Sequence, residues 1–135
     1  MILSLSVLSF FFSNLIVETP FANEHIVVLF FFGVIIGPFL ETMLFQALPF
    51  KITIRFFKHK YKLFIYLFFS AGAFMLVHPL NIAYMVFSFS AGFVCALFYY
   101  IATFKKESAV LLVFLIHMSY NLVVFVLHAI SKYFV

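Results

Sequence analysis

Residues 26–50 read IVVLFFFGVIIGPFLETMLFQALPF. A run this long and this apolar exceeds the ~20 residues that a helix needs to cross a bilayer. Its one ionisable side chain is Glu41, close behind the Gly37-Pro38 pair. Proline removes a backbone donor and disturbs the carbonyl one turn earlier, so the helix is expected to break locally beside the carboxylate and admit water. An ionisable group near the bilayer centre costs at least ~2.5–3.5 kcal/mol on insertion scales, so Glu41 needs polar partners or a wet cavity.

The rest of the 135-residue chain supplies both the bilayer signature and the partners. Hydrophobic residues make up 67% of it and charged residues only 9%, a surface that lipid tolerates and water does not. We therefore expect an all-α, polytopic transmembrane helix bundle of about five spans, forming one domain over residues 1–135 with its active site between the last four. The first stretch, Ile2 to Val17, carries Ser4, Ser6, Ser9, Ser13 and Asn14, and lacks the positive flank and cleavage site of a secretory signal. The second is the stretch quoted above. The third runs from Leu63 to His78 and stops at Pro79, the fourth from Ile82 to Phe104 with Asn81 as its cap, and the fifth from Ala109 to Ile130.

Charge sets the topology. Lys51, Arg55, Lys58, Lys60 and Lys62 lie in the connection after the second stretch, and Lys105 and Lys106 in the one after the fourth. Both connections fall on one face, cytoplasmic by the positive-inside rule, which places the N-terminus there too in a multi-pass cell-membrane protein. The net charge of +4 is thus a topology signal rather than a nucleic-acid footprint. Cys95 stands alone, which excludes an intramolecular disulfide and reads as a small packing residue. The acids are Glu18, Glu24, Glu41 and Glu107, with no aspartate, so aspartyl chemistry and a Ser-His-Asp triad are excluded. The triplets Ser70-Ala71-Gly72 and Ser90-Ala91-Gly92 read as close helix packing.

Three polar residues answer Glu41 from other apolar stretches: His78, His117 and Asn121. His117 and Asn121 are one helical turn apart on one face, as are Phe74 and His78. Counted from the basic connections at ~1.5 Å per residue, Glu41 and His117 both lie about 14 Å deep. His78, sixteen residues beyond Lys62, comes out at ~24 Å unless its segment unwinds before Pro79.

In order, these residues resemble the CPBP family of CAAX prenyl proteases and bacteriocin-processing enzymes, also called Abi. The family pattern is Glu-Glu-x-x-x-Arg, then Phe-x-x-x-His, then His-x-x-x-Asn. Here the first reads Glu41-Thr42-Met43-Leu44-Phe45-Gln46, a Glu-Thr-x-x-x-Gln variant; the second runs from Phe74 to His78 and the third from His117 to Asn121. The resemblance covers about residues 33–126. It implies an intramembrane endopeptidase in which Glu41, helped by His78, activates water, while His117 and Asn121 form the oxyanion hole. Thr42 and Gln46, one turn apart, replace an acid and a base of the pattern and are placed to share a hydrogen bond.

The His-Glu-x-x-His motif of zinc peptidases is absent, and a ligating Glu41 would leave no obvious base, so we expect a metal-free, glutamate-dependent mechanism. Were a divalent ion such as zinc bound, Glu41, His78 and His117 would be its ligands. The expected partners are the lipid bilayer and a peptide or lipid-modified protein substrate, with a bacterial-type peptide preferred. Two rival readings use the same residues: a bacteriocin-immunity type binding protein without catalysis, and a small proton or solute transporter.

Overall fold

Two prolines shape the first helix. The computed structural model describes residues 25–57 and 59–134, and its first helix, α1, runs unbroken over Ile26–Phe56. Within it, Leu29–Ile36 and Thr42–Ala47 are wound as wide π turns, each ending just before a proline, Pro38 or Pro49. A proline gives the carbonyl four residues back no donor. The residue before each one reaches five positions back instead, Gly37 N–H to the Phe32 carbonyl and Leu48 N–H to that of Met43. The wide turn brings the Phe32 oxygen within 2.7 Å of where a Cβ on residue 37 would stand, so that position needs glycine.

α1 ends at Phe57, whose backbone is extended, and a 3-10 turn at His59–Tyr61 leads into α2, Lys62–Leu76. At 15 residues α2 is ~22 Å long. It stops because Pro79 disfavours helical backbone at His78. α3, Ile82–Phe104, begins where the Asn81 side chain accepts the Tyr84 N–H at 2.8 Å. A tight turn with Lys106 at φ 60° then leads to α4, which starts at Ala109 and runs to Phe134.

Three of these helices, α1, α3 and α4, are long and apolar enough to cross a membrane, and α2 is shorter. The expectation of five spans is thus met for three among the described residues. The stretch from Ile2 to Val17 lies outside them. α1 extends past the expected Phe50 to Phe56, α2 ends before the expected His78, and α4 passes Ile130.

The bundle is strongly apolar outside and keeps several small polar side chains within a hydrophobic core. Thr42, Gln46, Thr53, Ser70 and Ser88 are buried, while Phe64, Ile82 and Phe56 are 68%, 82% and 71% exposed. So apolar an exterior suits lipid rather than water. The core joins Phe50, Tyr66 and Tyr99, whose rings lie 5.3–6.5 Å apart, to Ala96, Ala102 and Val113, with Cys95 packed against it. These contacts bring the ends of α1 and α3 together, so Lys51 and Arg55 share one end of the bundle with Lys105 and Lys106.

The two small-residue triplets behave differently from each other. Ala71 is fully buried, and a Cβ at residue 92 would meet Phe74 Cβ at 2.9 Å and Ala71 Cα at 3.2 Å, so Gly92 is what lets α2 and α3 touch. Gly72 faces open space. Ser70 donates its hydroxyl to the carbonyl of Phe45, the group that Pro49 leaves without its usual helical donor. His128 has a buried Nε2 without a hydrogen-bond partner.

Candidate active site

Glu41 closes the short α-helical stretch Gly37–Glu41 between the two π turns of α1. From α4, His117 brings its Nε2 to 3.3 Å from Glu41 Oε2. His78 approaches from beyond the end of α2, with Nε2 4.0 Å from Glu41 Oε1. The depth mismatch read from the sequence is resolved by the unwinding after Leu76. The freed His78 folds back, its N–H bonded to the Met75 carbonyl and its ring Nδ1 2.8 Å from the Phe74 carbonyl. All three side chains are partly open, Glu41 at 27%, His78 at 21% and His117 at 11%.

Phe74 is the spacer between the imidazoles. Its buried ring lies 4.5 Å from that of His78 and 5.7 Å from that of His117, and meets Phe45 of α1 edge-on at 5.7 Å. Asn121, one turn beyond His117, donates from Nδ2 to the Gly33 carbonyl of α1 at 2.8 Å, with a second Nδ2 hydrogen left over.

One carboxylate and two imidazoles thus converge from elements that are distant in sequence. Residues 23–123 match the family described as type II CAAX prenyl endopeptidase Rce1-like. The chain belongs to that family. The match takes in Glu41, His78, His117 and Asn121 and agrees with the CPBP resemblance of the three motifs. No curated protein and no solved structure matches it. At family level, the Rce1-like chain is a CAAX-protease-like intramembrane endopeptidase, embedded in lipid and acting on a protein substrate.

Thr42 and Gln46 of the Rce1-like chain are both buried in the bundle, 0% and 1% exposed, with no hydrogen bond between them. Thr42 Oγ1 and Gln46 Oε1 each lack a partner, which corrects the pairing expected from their spacing. Sequence reasoning missed Tyr84, whose ring stands 5.9 Å from His78. Asn81 held the signal for it: as the cap of α3 it fixes Tyr84 in the first turn, beside the unwound His78. Among the described residues, no group of three His, Cys, Asp or Glu is arranged to hold a metal ion.

Proposed function

We propose that this Rce1-like chain hydrolyses a peptide bond using a water held between Glu41 and His78. The tautomer of His78 supports the reading. A carbonyl only accepts, so the Nδ1 facing Phe74 carries the hydrogen, and the neutral ring presents a lone pair at Nε2. That lone pair faces the Glu41 carboxylate, a second acceptor, across 4.0 Å. Two acceptors at that separation are bridged by a molecule that donates to both, and water at about 2.8 Å from each does so.

As the water oxygen attacks the scissile carbonyl carbon, its proton passes to Glu41. The carbonyl oxygen gains the negative charge just as the carboxylate loses it. The His117 Nε2–H, directed at Glu41 beforehand, is then drawn to the oxyanion. Glu41 returns its proton to the amine nitrogen as the C–N bond breaks. The basic end of the bundle is taken as cytoplasmic. The family description points to a prenylated peptide, held at the bilayer by its lipid, as substrate.

The convergence of Glu41, His78 and His117 carries this reading, and cleavage in liposomes tests it. The reconstituted chain is expected to cut an internally quenched, farnesylated CAAX-type peptide. Glu41→Gln is expected to lower the rate roughly 10²–10⁴-fold with normal insertion. An unchanged rate in that variant would rule Glu41 out as the base. Dialysis against phenanthroline is expected to leave the parent rate unaltered; loss of activity restored by zinc would instead make Glu41 a ligand.

A further inference from the structure

We infer that Asn121 is a positioning residue: its carboxamide clamps the Gly33 carbonyl, which the wide turn before Pro38 leaves without a helical donor, and so helps to hold Glu41 against His117. The inference rests on the proteolytic reading for its activity readout, but its geometry stands apart from it.

The Gly33 carbonyl has two possible helical donors and is denied both. Four residues on, the Gly37 N–H is spent on the Phe32 carbonyl. Five residues on stands Pro38, which has no N–H. A stranded carbonyl in a lipid-embedded helix demands a partner from elsewhere in the protein. The donor comes from α4, 88 residues away in sequence, as Asn121 Nδ2 at 2.8 Å.

Among the described residues this bond is the second of two polar ties between α1 and α4, beside the ring contacts Phe30–Phe125 and Phe39–Phe114. Glu41–His117 lies after Gly37-Pro38 and Gly33–Asn121 before it, so the pair spans the stretch of α1 where the wide turn gives way to regular helix. Because His117 and Asn121 are neighbours on one helical face, they move as a unit. Fixing Gly33 to Asn121 therefore sets the angle at which the Glu41 half of α1 meets His117. Without it the wide turn loses the bond that satisfies its stranded carbonyl, and Glu41 shifts relative to His117.

A residue acting purely as an oxyanion donor would be needed whatever stands at position 38. A clamp is needed only while proline does, because Pro38→Ala restores a backbone N–H to this stretch. The experiment uses the full chain in liposomes, labelled with [1-13C]glycine and [15N]valine. Gly33-Val34 is the only Gly-Val pair in the sequence, so this labelling isolates the Gly33 carbonyl in solid-state NMR.

Asn121→Leu is expected to shift that resonance toward the free-carbonyl position, and adding Pro38→Ala to return it. Cleavage of the farnesylated quenched peptide is expected to fall roughly a hundredfold in Asn121→Leu and to recover by about tenfold or more in the double variant. An unmoved resonance in Asn121→Leu overturns the clamp. A moved resonance with no recovery of cleavage overturns the positioning role. Should Asn121→Leu fail to insert, insertion regained with Pro38→Ala supports the clamp, and insertion still lost overturns it. If the parent chain cuts nothing, the proteolytic reading fails while the carbonyl signal still decides the clamp.

Discussion

Two glycines in α1 predict opposite outcomes for the same substitution. In an ordinary helix, replacing glycine by alanine gains up to ~1 kcal/mol. Gly33→Ala meets nothing within 4 Å and is expected to be neutral or stabilising in thermal unfolding followed by circular dichroism. Gly37→Ala places a methyl 2.7 Å from the Phe32 oxygen, so the π turn must tighten and turn Glu41 away from the imidazoles. Lower thermal stability and a large drop in peptide cleavage are expected there; behaviour like that of Gly33→Ala would show that the wide turn is dispensable. The sequence shows at this scale that Glu41, His78 and His117 are costly and need one another. It does not show the hydrogen bond of Asn121, because that depends on which N–H a π turn diverts. Nor does it show that Thr42 and Gln46 lack each other, since their spacing was read on a regular helical turn and they sit in a wide one.

Among the elements, α3 was the most legible. Asn81 marks its start, a polar acceptor poised for a free N–H, and Lys105-Lys106 mark its end. Asn81→Ala is expected to cost ~1 kcal/mol of stability and Asn81→Asp much less, because the aspartate keeps the acceptor. Equal losses in chemical unfolding would remove the cap from the account of α3. α1 was harder to bound. Pro49 suggests a helix end near Phe50, yet the π turn before it absorbs the missing donor and the helix continues to Phe56. α2 was overestimated by the two residues that matter most, because Pro79 acts on the residue before it and frees His78 from the helix. A regular α2 running through His78 would have carried that imidazole away from Glu41.

For the whole molecule, the close approach of α2 and α3 holds Phe74 and His78 in place. Gly92→Leu is expected to wedge these helices apart, costing ~1–3 kcal/mol, and to lower cleavage although residue 92 touches no site polar atom. Retained stability and rate would mean that the two helices can separate without consequence. The apolar exterior is legible from composition, whereas the number of crossing helices is not, since apolar length alone does not say where a helix stops. The shortness of α2 has one more consequence. At ~22 Å it is ~8 Å shorter than a typical hydrocarbon core, so the acyl chains flanking it have to compress or splay. The far leaflet is then expected to sag toward the tip that bears His78 and to bring headgroup water to the imidazole. Turnover is therefore expected to be faster in vesicles of short-chain phosphatidylcholine than in long-chain ones, with the local pinch in the membrane serving as the door to the site.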